Sequence, residues 1–196
     1  MKPLNHFVVS VEKRFKDTVK VGEQEIFLDS KFNEFEHRIA YGEIVGAPIK
    51  HDTGAKEGDI LFFHHHVIMN ENLSLGGGRY ICMYGKGEHD IKQAIAFRSK
   101  ASGKLTMLAD WIFVEPIEDD GEDIVSDTGI VLETAKKRIR KDVARVIEPD
   151  EELQRNGVKA GDVVAFDRAA DYQITLDDGS VVYRMRSEDI SYVEES

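Results

Sequence analysis

Three consecutive histidines, His64 to His66, are the residues of this chain best suited to bind a metal. They follow the strand-like run Ile60 to Phe63, and successive strand side chains point to opposite faces, so at most His64 and His66 converge. The reading adopted is an exposed polar turn with no metal. Imidazoles would meet in a metal site or a pH-sensitive contact only if copies of the chain gathered around a ring axis, and the role of His64, His65 and His66 stays open. The single cysteine, Cys82, sits inside RYICMY and reads as a buried thiol; one cysteine excludes an intrachain disulfide. Gly76 to Gly78 precede a strand-like run rather than a helix and lack a Gly-Lys-Ser/Thr ending, so they read as a hairpin connection, not a phosphate loop. In DIVSDTG a calcium loop is rejected because Val125 occupies a ligand position. No nucleophile, general base or carboxylate pair has a supporting context, so neither an enzymatic role nor a cofactor is expected.

A different chemistry is offered by SDTGIVLET, Ser126 to Thr134, where Ile130, Val131 and Leu132 stand alone among polar residues. Glu118 to Asp127 carries six acids in ten positions, and Lys136 to Lys141 carries five bases in six. Such a triplet is either a short strand docked on a core or a hydrophobic hook held out for a partner. Its surroundings cannot supply a packed core, so Glu118 to Arg138 is expected to move in the free protein.

Composition narrows the partners. The 196 residues are 41% hydrophobic and 32% charged, which suits one or two ordinary cores. A formal net charge of −11 opposes binding to phosphate backbones, and KKRIRK, Lys136 to Lys141, reads as a solvated loop base among acids; no nucleic-acid partner is expected. No run approaches the roughly 18 apolar residues of a membrane span, and no leader pattern precedes Pro3, so no membrane contact and a cytoplasmic location are expected. Divided after Arg98, the halves hold 13 bases against 14 acids and 13 against 23, whereas all seven histidines lie in the first.

The elements that must position these residues occur twice. LNHFVVSVE (Leu4 to Glu12) has a counterpart in LADWIFVEP (Leu108 to Pro116), at an offset of 104, and at that offset Ile26, Phe27 and Leu28 fall opposite Ile130, Val131 and Leu132. YGEIVGAP then pairs with RKDVARVIEP, KEGDILFF with KAGDVVAF, and RYICMYGKGEHDI with VYRMRSEDI, which is four residues shorter. SKASGKLTM, Ser99 to Met107, has the composition of a short flexible linker. Each copy is built of short alternating strands broken by turns, which predicts an all-β small barrel or sandwich. Asp178 and Gly179 predict a tight hairpin turn, and DEELQRNG a short helix closed by Gly157.

The second copy, residues 108 to 196, resembles a GroES-type co-chaperonin almost throughout: LADWIFVEP, a polar loop holding GIVL, RKDVARV, VKAGDVVAF and SEDISYVEE recur in the family's order. Residues 1 to 98 resemble it more weakly, through KPLNHFVVSV, GEIVGAP and EGDILFF. Two tandem copies resemble the double-domain co-chaperonins of chloroplasts, although the chain shows no transit peptide. The resemblance implies two GroES-like irregular small β-barrels, at 1–98 and 108–196, joined by the linker 99–107.

It further implies a lid that assembles as a ring on a GroEL-type chaperonin, its own or a host's, and assists ATP-dependent folding, with unfolded proteins met only as encapsulated substrates. In that family a mobile loop docks on the chaperonin through a Gly and three aliphatic residues, which by position are Gly129, Ile130, Val131 and Leu132 here. The corresponding first-copy residues are Ile26, Phe27 and Leu28, preceded by Glu25 in place of the glycine, so that copy is expected to dock less well. The ring stoichiometry is left open: both domains in one ring, or one domain stacked on a ring formed by the other. Two alternatives stand beside the lid. One is an adaptor using the same loops without a chaperonin. The other is a GroES-like fragment of a dehydrogenase, for which a Gly-x-Gly-x-x-Gly and a nucleotide domain are missing.

Overall fold

The computed structural model describes residues 2–13, 18–21, 24–27, 39–119, 124–125, 131–133, 138–167, 170 and 172–194. The chain divides into two compact units, Met1–Ala109 with Ile174–Ser180, and Asp110–Gln173 with Val181–Ser196. It is nearly all β, as expected. No helix among the described residues is long and apolar enough to cross a membrane.

In the first unit the strands are β1 (Phe7–Ser10), β2 (Thr18–Val21), β3 (Gln24–Phe27), β4 (Tyr41–Gly46), β5 (Ile60–Phe63), β6 (Ser74–Gly76), β7 (Arg79–Cys82), β8 (Ala94–Arg98) and β9 (Leu105–Met107). A helical turn, α1 (His66–Met69), follows β5. The second unit contributes β10 (Trp111–Asp119), β11 (Ile124–Val125), β12 (Val131–Glu133), β13 (Arg138–Glu148), α2 (Glu151–Arg155), β14 (Val163–Phe166), β15 (Tyr172–Thr175), β16 (Val181–Arg186) and β17 (Ile190–Glu194). One antiparallel sheet has the order β6-β7-β1-β4-β5-β8-β9 and the other β15-β16-β10-β13-β14-β17. Apart from the added β9, the two orders are the same. In both, a separate two-stranded ribbon, β2-β3 or β11-β12, falls in the chain between the two strands at the sheet centre.

Side-chain alternation builds the two cores. Phe7, Val9, Ile44, Leu61, Phe63, Tyr80 and Cys82 meet in the first, and Ile112, Val114, Val146, Val164, Phe166 and Met185 in the second. These residues correct the offset read from the letters. Val9 lies opposite Ile44 just past a register shift after Val8, and Val114 lies opposite Val146 just past one after Phe113. The first strands are therefore equivalent at 105 residues, not 104. A one-residue slip hardly changes a letter match but moves every side chain to the other face of a strand, and the core that each residue joins decides between the two.

KEGD and KAGD fold as the same turn. Lys56 and Lys159 each donate a backbone N–H to the carboxylate of Asp59 or Asp162, both at 2.8 Å. The aspartate carbonyls accept from Ile44 and Val146, again at 2.8 Å, and the glycines donate back to those same two residues. Gly58 and Gly161 hold φ of 91° and 97°, a region that costs a side chain steric strain. α2 starts at Asp150, whose Oδ1 accepts the Leu153 N–H at 2.8 Å, and ends as predicted at Gly157. The Val158 N–H reaches the Leu153 carbonyl and the Gly157 N–H that of Gln154, the paired closure of a Schellman motif.

The expected linker is not a free tether. Leu105–Met107 pairs with β8 as a further strand, and the Ser99 N–H donates to the Lys104 carbonyl at 2.9 Å to close the hairpin. The apolar-polar-apolar LTM can pair the open edge of β8, which the Ser, Gly and Lys content of the segment conceals. Leu108 is then buried in the first core, so that unit runs to Ala109 rather than Arg98.

The hairpin β15-β16 turns at Asp178-Gly179 as expected, with the Leu176 N–H donating to the Ser180 carbonyl and Gly179 at φ 87°. Residues 174–180 group with the first unit, where Arg98 reaches Asp178 at 2.9 Å and Asp177 at 3.3 Å. Hydrogen bonds from the Ser180 hydroxyl and N–H, then Arg98, hold the Asp178 carboxyl down at about 2. A carboxyl depressed on folding favours the fold above its ordinary pKa, and that contribution disappears as the pH falls through the folded value. A carboxyl-carbon NMR titration should therefore find the Asp178 midpoint near 2, with the hairpin loosening only below it. A midpoint near 4 would remove this anchor.

Candidate functional site

The described ribbons sit where the sequence places its two aliphatic triplets. β2 pairs with β3 in the register Thr18 to Phe27, Val19 to Ile26, Lys20 to Glu25 and Val21 to Gln24. β11 pairs with β12 through Ile124 to Glu133 and Val125 to Val131. Ile26 and Phe27 thus lie on the returning strand of the first ribbon, and Val131 and Leu132 on that of the second. Ile26 is 46% exposed, a large apolar side chain offered to solvent. Leu28, Gly129 and Ile130 lie outside the described residues.

A two-stranded arm carries the second ribbon. β10 and β13 pair from the sheet out to Glu118 opposite Ile139 and Asp119 opposite Arg138. β16 pairs with β10 only along Trp111–Val114, and β14 with β13 only along Val143–Arg145. Beyond those points the described pairing of β10 and β13 is with each other alone, and Ile139 is exposed. Pro116, which has no N–H to give a ladder, sits beside the register shift before Glu118. Two strands paired only with each other are marginal on their own.

The charge pattern around SDTGIVLET acquires a second meaning in this arm. Beyond the sheet its outgoing strand carries Glu118 and Asp119 and its returning strand Arg138, Arg140 and Lys141; Asp119 lies opposite Arg138, and Glu118 opposite Ile139. Opposite charges across an antiparallel pair contribute roughly 0.2–1 kcal/mol each. Glu115 and Arg145, opposite each other in the register, form an ion pair at 3.5 Å at the edge of the sheet, where β14 still pairs with β13, and Arg140 reaches Glu194 of β17 at 3.8 Å. Acids before the triplet and bases after it thus bring one unlike-charge pair, Asp119 and Arg138, into register among the described residues of the arm. The sequence contains that signal, and reading the flanks as solubilising charge alone misses it.

At the root of the second unit, Trp111 is 5% exposed. The Arg184 guanidinium lies 4.9 Å from its ring and 4.2 Å from that of Tyr172, while Arg186 lies 4.2 Å from Trp111. Burial lowers Arg184 to about 10, opposed by Tyr172 and helped by the Arg186 charge, so the group stays charged at neutral pH. Arg186 is oriented by Asp110, at 2.8 and 2.9 Å to its two oxygens. Sequence reasoning did not find this stack, because its members are brought together by strand pairing and not by spacing.

Among the remaining candidates, Cys82 is fully buried and its thiol is pushed well up by burial. Gly76 to Gly78 form the β6-β7 connection, and at Gly78 an added Cβ would stand 2.7 Å from the Val11 carbonyl oxygen. Val125 pairs in the second ribbon, and the basic run from Arg138 onward is strand rather than loop. The histidines correct the expectation that at most two converge. All three rings gather, with one ligand atom from each lying within 4.8 Å of the others, because the strand ends at Phe63 and the chain turns into α1.

Compared with known proteins, the chain matches no protein-family model and no curated protein.

Proposed function

We propose that the protein is a co-chaperonin. It assembles as a ring, caps a GroEL-type chaperonin, and assists ATP-dependent folding without turnover chemistry of its own. In this reading each sheet closes as a GroES-like barrel, and the two ribbons are the docking loops, with Gly129, Ile130, Val131 and Leu132 as the principal anchor and Ile26, Phe27 and Leu28 as the auxiliary one.

One observation carries the reading. Two sheets with a shared six-strand order each interrupt their central strand pair at the same point with a two-stranded ribbon, and each ribbon's returning strand bears the aliphatic residues. A core-forming strand would not be placed in a separate ribbon of marginal stability. A projecting hook would be. Burying one aliphatic side chain is worth roughly 1.5–3 kcal/mol, against about 1–2 kcal/mol to fix each residue's backbone. A single loop therefore binds weakly, and a ring of loops binds tightly because later contacts become intramolecular. A lid that leaves in every cycle needs that combination.

The test is the refolding yield of a stringent substrate with several chaperonins and ATP, with and without the protein. The yield is expected to rise with at least one of them. No gain with any would end the proposal.

A further inference from the structure

We propose that His64, His65 and His66 form a binding site for one divalent transition-metal ion of the zinc, nickel or copper class. The ring centroids stand 4.4 Å apart for His64 and His65, 4.6 Å for His64 and His66, and 4.3 Å for His65 and His66. The three rings thus form a nearly equilateral cluster, which no extended strand could produce. The local backbone explains it. His65 adopts helical angles of φ −54° and ψ −22°, and the Val67 N–H donates to the His64 carbonyl at 2.9 Å, so the alternation of β5 stops at Phe63.

Metal–nitrogen bonds of roughly 2.0–2.1 Å place ligating nitrogens about 3 Å apart and ring centroids about 4.5–5 Å apart. The centroid spacings of 4.3, 4.4 and 4.6 Å lie at or just below the lower end of that range, so the rings need to spread slightly on binding. One nitrogen of each ring lies within 4.8 Å of the others; because His64 Nδ1 accepts the His66 N–H at 3.3 Å and the His64 and His66 rings are stacked at 24°, ligation uses His64 Nε2 and requires the rings to rotate out of the stack until their lone pairs converge. Three imidazoles and no carboxylate favour zinc, nickel and copper over magnesium or calcium, which select oxygen ligands.

The site is held from both sides. Before it, the Phe63 N–H donates to the Ala40 carbonyl at 2.8 Å and the His64 N–H to that of Gln93 at 2.9 Å. After it, Val67 and Ile68 are buried at 0% and 1% exposure and fix α1. His65 is 7% exposed, whereas His66 is exposed, so an ion enters from the His66 side and water completes its coordination there. Bound metal would tie the end of β5 to α1, and folding would be favoured by mass action. This inference is independent of the co-chaperonin reading, since it concerns neither ribbon.

The experiment titrates the full, untagged chain with Zn2+ and Ni2+ by calorimetry, with Mg2+ as the control. Binding of one ion per chain is expected for Zn2+ and Ni2+ and none for Mg2+. At a free Zn2+ concentration about 100 times the dissociation constant, the melting temperature should rise by roughly 5–10 °C. His66→Asn, an exposed change that leaves the fold intact by circular dichroism, should weaken Zn2+ by at least tenfold. Outer partners of ligands alone are worth about 10–100-fold. The pair His64→Gln with His66→Asn should abolish the site while His6, His37, His51 and His89 remain. Absence of Zn2+ binding, or binding that survives both variants unchanged, would overturn the proposal.

Discussion

Truncating Val131 and Leu132 to alanine should all but abolish binding to the chaperonin, while the same truncation of Phe27 and Leu28 should weaken it and leave a measurable remainder. Each loop of the second kind loses very roughly 2–5 kcal/mol of apolar burial, and the loss is multiplied around a ring because the contacts act together. The asymmetry follows from the residues before the triplets. Gly129 imposes no steric limit on the swing of Ile130 to Leu132 into a groove, whereas Glu25 is already paired opposite Lys20 in the first ribbon and restricts its backbone more. Dissociation constants of both double variants, measured in solution with the fold checked by circular dichroism, decide the matter. A first-ribbon variant that loses binding while the second-ribbon variant keeps it would reverse the assigned roles.

Trp111→Ala should produce the largest loss of stability, and in the second unit alone. The ring is 5% exposed and carries two guanidiniums, those of Arg184 and Arg186, on its faces. Its removal costs roughly 3–5 kcal/mol, a large share of the roughly 5–15 kcal/mol that holds a domain together. It also leaves the buried Arg184 with Tyr172 as its one aromatic partner among those described. For a unit of this size the melting temperature should fall by more than about 10 °C. Hydrogen exchange followed segment by segment should place the loss in β10, β13 and β16 and leave β1, β4 and β5 protected. Uniform loss in both units, or a shift below about 2 °C, would contradict this role for the stack.

The duplication was legible because its turns are chemical. Lys-x-Gly-Asp recurs as a carboxylate that accepts a backbone N–H three residues before it, beside a glycine with positive φ, and such a turn tolerates few other residue types. The triplets drew notice for a different reason: apolar residues in a run that offers no core stand out by composition alone, and their described members Ile26, Phe27, Val131 and Leu132 lie on the ribbons' returning strands. The exact register of β1 and β10 was not legible, since PheValVal and IlePheVal match equally well at 104 or 105 residues, and all six side chains are buried; which of them join the main core of each unit selects the face.

Features that depend on long-range pairing were hidden to different degrees. The strand β9 could not be separated from a linker, because three alternating residues become a strand only when an edge such as that of β8 is there to pair with. The acidic and basic flanks of SDTGIVLET were visible, but their meaning as facing strands of one arm required the pairing of Asp119 with Arg138. The histidines failed for a local reason. Period-two reasoning was extended over three residues past Phe63, where the backbone turns into α1.

The most direct test of the central claim is the mass of the assembly, measured on the purified protein alone and after mixing with a GroEL-type chaperonin in the presence and absence of ATP. The account predicts a closed oligomer of the chain by itself, and a complex of one such oligomer on a chaperonin end that forms with ATP and disperses without it. A chain that stays monomeric and adds no mass to any chaperonin in ATP would contradict it.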